Sequence, residues 1–154
     1  MKINIICVGK KHLIELRDAI NTYETRLKPN FDISWQIIPT GVGDGLLQKE
    51  RESKKVVSLI RANDFVILLD ESGTIFTNQQ LAGILSVALK ERTKNRIIFI
   101  IGGAYGVSKE LKNRADIIWS LSKLVFPHQI VRLILIEQLY RTSTILQSHP
   151  YHHK

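Results

Sequence analysis

Arg96-Ile-Ile-Phe-Ile-Ile-Gly102-Gly103-Ala-Tyr-Gly106 is the stretch whose reading decides the fold. Ile97 to Ile101 are all apolar, with no alternation of polar and apolar residues. A strand wetted on one side would alternate, so this run predicts a strand covered on both faces, as in a parallel sheet. The glycines end the strand. Ser108 can then N-cap a short helix through Ala115. Strand, glycine loop and helix together form the repeating half of a parallel β/α unit.

Working outward, the same grammar recurs. Phe65 to Asp70 is a second continuous apolar run, closed by a turn at Glu71-Ser-Gly73. Thr77 and Gln80 have the spacing of a capping box, which predicts a helix running to about Arg92. Nearer the start, Lys2 to Val8 reads as a strand. His12 to Lys28 has helical periodicity through Leu13, Leu16, Ile20, Tyr23 and Leu27. Ile33 to Pro39 reads as a strand, and Gly41, Gly43 and Gly45 as a loop. A charged helix then runs to about Ala62, with Leu46, Val56, Leu59 and Ile60 expected on its inner side. Asp116 to Ser122 is a fifth strand, and Pro127 suits the first turn of a last helix reaching about Gln147. The alternation predicts an α/β fold: one domain over residues 1–154, a mostly parallel sheet, helices on both faces.

The last helix departs from the usual pattern. Ile130, Val131, Leu133, Ile134, Leu135, Ile136, Leu139 and Tyr140 leave it almost no polar face. A surface helix is apolar along one stripe. This one needs cover on two sides, and the expected second cover is another subunit, giving a homodimer packed on this helix.

Composition narrows the function classes. The net charge is +8, unevenly placed: residues 1–89 hold 11 Lys and Arg against 10 Asp and Glu, residues 90–154 hold 11 against 4. A concentrated basic region attracts polyanions, with nucleic acid the natural candidate and a solvated basic face the alternative. The one cysteine, Cys7, lies in an apolar run and is read as a buried small hydrophobe suited to a reducing compartment. No segment is apolar for long enough to span a bilayer, and no export signal is visible, so a cytoplasmic protein without membrane partners is expected. His149, His152 and His153 lack the closing ligands of a zinc site, and no metal is expected.

In parallel sheets the ligand sits beyond the C-terminal strand ends. The loops there are 69–73, 102–106 and 121–126. Gly102-Gly103-x-x-Gly106 is not a dinucleotide fingerprint, because Ile101 occupies the first glycine position. It is equally no P-loop, lacking the Gly-Lys-Ser/Thr. Close ligand approach and a tight turn remain the two readings. Asp70 to Thr74 has the outline of a phosphatase nucleophile loop but lacks a second acid at Ser72. Glu137 and Arg141, four apart, can be a helix-supporting ion pair or a substrate clamp at a dimer seam. Arg132 shares that ambiguity.

Leu69-Asp70-x-x-Gly73, Ile101-Gly102-Gly103-x-x-Gly106, Leu121-Ser122-x-Leu124-x-Phe126-Pro127-His128-Gln129, Arg132, Glu137-Gln138-x-Tyr140-Arg141 and Pro150-Tyr151-His152 occur in that order. The ordered set closely resembles the minimal SPOUT methyltransferases that modify N3 of a pseudouridine in bacterial 23S rRNA. The resemblance covers the whole chain and is strongest from Leu121 to His152. It implies a C-terminal trefoil knot. It implies S-adenosylmethionine as methyl donor, held at Leu69, Gly102 and Leu121-Ser122-Lys123-Leu124-Val125-Phe126. It also implies a homodimer whose substrate pocket is completed by the partner's C-terminal tail. There are two departures from the family: Val125 stands where threonine is common, and Ala104-Tyr105 replace a small or proline-and-polar pair.

The implied reaction must orient the ring nitrogen and remove its proton. His152 is the first candidate for proton handling and His128 the second, with positioning alone left open. Arg141 is the candidate for stabilising the developing imidate oxygen, with Glu137 orienting it. Tyr151 can stack on a flipped-out base. Arg132 and Lys154 are further substrate candidates, and Lys109, Lys112, Arg114 and Lys123 are phosphate candidates. The partner expected is 23S rRNA in the large subunit or assembled ribosome, and not DNA. The alternatives are a knotted RNA-binding or ribosome-assembly factor without catalysis, and a SPOUT methyltransferase for another RNA site.

Overall fold

The structure is a computed structural model, and it describes residues 2–90 and 96–147. The elements run β1 (Lys2–Val8), α1 (Ile14–Leu27), β2 (Asp32–Ile38), α2 (Gly45–Ser58), β3 (Asp64–Ile75), α3 (Asn78–Lys90), β4 (Arg96–Ile101), α4 (Lys109–Arg114), β5 (Ile117–Ser120) and α5 (His128–Leu146). The five strands form one sheet in the order β2-β1-β4-β3-β5. Every pairing within it is parallel, with Ile3 opposite both Ile33 and Ile97, and Phe65 opposite Ile97. This is the predicted α/β architecture.

Both faces are covered because consecutive strand side chains point opposite ways. Ile3, Ile5, Cys7, Ile97, Phe99 and Ile101 join α1, α3 and α5 through Ile20, Leu27, Leu81, Leu85, Leu135 and Leu139. Ile6, Val8, Val66, Leu68, Ile98 and Ile100 join α2 and α4 through Val56 and Leu111. The continuous apolar runs of β3 and β4 therefore reflect strands buried on both sides.

Local signals work as expected at two helix starts. The Thr77 hydroxyl accepts from the Gln80 N–H at 3.2 Å while the Gln80 side chain accepts from the Thr77 N–H at 2.8 Å. The Ser108 hydroxyl accepts from the Leu111 N–H at 3.2 Å and opens α4. Pro127 is the N-cap of α5, one position earlier than its expected place in the first turn.

Two expectations need correction. Leu46 is 68% exposed, and the buried side of α2 is Gln48, Glu52, Ser53 and Val56. The turn at Glu71-Ser-Gly73 does not end β3. The strand bulges, so that Leu69 and Thr74 both pair with Trp119. Gly73 is required there, because a Cβ would stand 2.6 Å from the Ile118 backbone. The last helix, α5, meets two neighbours within its own chain. The helix packs against both α1 and α3. Ile130 and Ile134 are half-buried and stand outside both core clusters.

Candidate functional site: a pocket at the strand ends

The C-terminal ends of β3, β4 and β5 open onto one cavity of about 260 Å³. Leu69, Asp70 and Glu71 border it from β3, Ile101 to Ala104 with Gly106 and Val107 from the end of β4 and the loop after it, and Trp119 to Ser122 from the end of β5 and the loop after it. Leu124, Val125 and Phe126 close the far side, with His128 and Val131 from α5. The three loops picked out from strand order thus meet in one place.

Of the residues expected around a methyl donor, Leu69, Gly102, Leu121, Ser122, Leu124, Val125 and Phe126 line this cavity, and Lys123 does not. The Ser122 hydroxyl accepts from the Leu124 N–H at 3.0 Å, and the Ser120 hydroxyl donates to the Ser122 carbonyl at 2.8 Å. These bonds shape the 121–126 loop. Leu124 and Val125 are nevertheless 70% and 79% exposed. Gly102 admits no side chain, since a Cβ would stand 2.6 Å from Val107 Cγ1.

At the rim, the Asp70 carboxylate accepts from the Ser72 N–H at 2.9 Å and from Lys112 Nζ at 3.2 Å. Burial pushes the Asp70 carboxyl up, but these bonds and the Lys112 charge outweigh it and hold it below its ordinary value. Lys112, a phosphate candidate, is thereby drawn to the pocket's edge. Arg114, another, donates to the Arg61 carbonyl at 2.7 Å and lies 3.7 Å from Asp116. Lys109 and Lys123 are exposed.

His128 lines the cavity in a half-buried position. Burial and the Arg132 charge lower its pKa, while the Glu52 charge acts in the opposite direction. Arg132 itself is buried, at 1% exposure. It donates to the Lys10 carbonyl at 2.8 Å and approaches His12 Nδ1 at 3.4 Å.

Glu137 and Arg141 form an ion pair, with Nη2 at 2.6 Å and Nε at 3.2 Å from Glu137 Oε1. At the rise of a helix they lie about 13 and 20 Å beyond His128 along α5, so this chain does not bring them to the cavity. Tyr151, His152 and Lys154 lie outside the described residues, as does the His149–His153 cluster. Among the described residues no group of three metal-ligating side chains occurs. No helix among them is long and apolar enough to cross a membrane.

Sequence reasoning missed Trp119, Val131 and Glu52. Trp119 is buried where β5 meets the bulge of β3. Glu52 showed itself only as part of a polar stripe, Gln48, Glu52 and Ser53, on a helix whose Leu46 looked the better inward residue.

A family model described as a predicted SPOUT methyltransferase matches residues 1–152. The chain belongs to the SPOUT methyltransferase family. Among its SPOUT relatives, ribosomal RNA large subunit methyltransferase H of Christiangramia forsetii is 41% identical, with all of both chains covered. The protein of the same description from Parabacteroides distasonis is 38% identical, again over all of both chains. A putative RNA methyltransferase of Arabidopsis thaliana is 36% identical over 99% of this chain and 80% of its own.

The cavity suits the methyl donor of this SPOUT family, S-adenosylmethionine. Leu69, Ile101, Trp119, Leu121 and Val131 offer an apolar lining for an adenine, and Glu71 places negative charge at the rim, suited to a cationic ligand. Gly102 and Gly103 allow close approach to the backbone.

Proposed function

We propose that this SPOUT methyltransferase methylates ribosomal RNA of the large subunit, at N3 of a pseudouridine, working as a homodimer in the cytoplasm. The observation that carries the reading is full-length likeness to ribosomal RNA large subunit methyltransferases, joined to one cavity built from the three strand-end loops. The whole chain is read as one domain with a trefoil knot at its C-terminal side. In support, the chain leaves β5 at the sheet edge and returns through the 121–127 loop to lay α5 against α1 and α3.

S-adenosylmethionine supplies an electrophilic methyl carbon on a sulfonium sulfur. Leu69, Gly102 and the 121–126 loop would hold it, with Leu124 and Val125 presenting exposed apolar surface at the mouth. The half-buried Ile130 and Ile134 on α5, outside both core clusters, support pairing with a second copy. Such pairing can bring a partner's Glu137–Arg141 pair and its C-terminal Tyr151, His152 and Lys154 to this cavity. Arg141 would then stabilise negative charge on the base, and His152 or His128 would take the imide proton.

The test is methylation of large subunits from a strain lacking the gene, with purified protein and radiolabelled S-adenosylmethionine. Label on large-subunit RNA, mapped to a pseudouridine and lost in Arg141→Ala, supports the reading. Cofactor binding without label on any large-subunit RNA would point to another RNA site. Neither binding nor label would leave an RNA-binding or assembly factor.

A further inference from the structure

The buried side of α2 is polar where a helix held only by its core would be aliphatic. Gln48, Glu52 and Ser53 are 8%, 3% and 2% exposed, and only Val56 among the buried residues of the helix is apolar. Burying a carboxylate is costly unless it is compensated. Glu52 Oε1 is compensated: it accepts from the Gly41 N–H at 2.8 Å and from Gln48 Nε2 at 2.9 Å. Oε2 is buried with no hydrogen-bond partner among the described residues. It lies against Gly103, where an added Cβ would stand 2.2 Å from it and 3.1 Å from the carboxylate carbon.

Two further contacts run between the same segments. The Ser53 hydroxyl accepts from the Ser108 N–H at 2.8 Å. The Tyr105 ring lies over Gly45, where a Cβ would stand 2.9 Å from Cδ1. Residues 102–108 therefore rest on Gly45 and the middle of α2, and Gly102, Gly103, Ala104, Gly106 and Val107 border the cavity.

We propose that Glu52 is a positioning residue for methyl transfer, bonded to the Gly41 loop on one side and packed against Gly103 on the other, so fixing the shape in which the 102–108 loop receives the methyl donor. This rests on the reading that the cavity takes S-adenosylmethionine. Glu52 does not line the cavity; it acts through Gly103. A side chain at position 103 and the carboxylate at position 52 compete for one space, so the two positions are energetically coupled.

The experiment is a double-mutant cycle on the full-length protein. It reads S-adenosylmethionine affinity by calorimetry, and amide hydrogen exchange over residues 102–108 without cofactor. Gly103→Ala is expected to weaken binding about tenfold or more, a size in the range of coupled neighbours. Glu52→Ala is expected to weaken binding and to speed exchange at Gly41 and over 102–108. The double variant should bind more tightly than Gly103→Ala alone, because the clash is gone. Glu52→Gln, whose amide oxygen can keep the Gly41 N–H, should stay within about threefold of the parent. Losses that simply add, or unchanged affinity and exchange in Glu52→Ala, would overturn the proposal. Should Glu52→Ala fail to fold, Glu52→Asp, one methylene shorter, completes the same cycle. A parent protein that does not bind S-adenosylmethionine sinks the assignment of the cavity, while the exchange data still test the Glu52–Gly103 contact.

Discussion

Arg96 holds the Asp64 carboxylate through both Nε at 2.8 Å and Nη2 at 3.0 Å, across the register that pairs the two residues in β3 and β4. Asp64 is fully buried and also accepts from the Arg61 N–H at 2.6 Å. Asp64→Ala should lower stability by about 3 kcal/mol, as breaking a buried pair leaves its partner uncompensated. Urea denaturation measures it, and a loss below about 0.5 kcal/mol, the size of an ordinary surface change, would refute the role.

Acid should weaken the same contact. Burial raises the Asp64 carboxyl, but the Arg96 and Arg61 hydrogen bonds and charges prevail and hold it below its ordinary value. The unfolded chain therefore takes up the proton first as pH falls. The stabilisation is complete at neutral pH and fades below about pH 4. Asp64→Asn should flatten the dependence of the urea midpoint on pH in that window.

His12 and His128 carry depressed pKa values, in both cases through burial first and the Arg132 charge second. A folded state that resists protonation loses stability once the unfolded histidines charge, below about pH 6.5. The melting temperature should fall between neutral pH and about pH 5.5, and less so in His12→Asn. Proton NMR should show the His128 ring titrating below a free histidine.

Cys7 is fully buried, and its thiol is pushed up to about 12 by burial, against the opposing influence of Arg132. The thiolate is the reactive form. Native protein should therefore ignore a disulfide reagent that titrates one thiol per chain in denaturant. Rapid native labelling would contradict this burial.

Val125 is 79% exposed on the cavity wall. Val125→Thr should change stability by less than about 0.5 kcal/mol, as surface changes do. If the threonine usual in the family bonds the cofactor, calorimetry should show affinity rising about threefold to tenfold, the worth of one hydrogen bond.

Sheet, helices and site loops were legible because periodicity and apolar runs report burial directly. Ile97 to Ile101 could lie only in a doubly covered strand, and the capping pairs at Thr77 and Ser108 marked helix starts by their own chemistry. The bulge of β3 was not legible, because Glu71-Ser-Gly73 has the composition of a turn that ends a strand; the backbone of β5 passing Gly73 decides the matter. The inward side of α2 was misread for a related reason. Leu46 looked like core by type, while Glu52 is buried with hydrogen bonds from Gly41 and Gln48 and packed against Gly103, a contact distant in sequence. Arg132 illustrates the same limit, since its acceptor is the carbonyl of Lys10 at the other end of the chain.

The placement of β4 between β1 and β3 bears on how the chain is made. Ile3 is the first residue of the β1–β4 register and meets Ile97 there, and the apolar side of α1 finds α5 only after more than 100 further residues have been made. Contacts so distant in sequence form slowly, because the intervening chain must first be closed into a loop. β1 and α1, made long before the elements that cover them, can pair with β2 but keep an apolar face open until β4 and α5 are made. Chaperone demand during translation should therefore be greatest for the first half of this protein, and shortening α5 should harm the folding of residues more than 100 positions upstream.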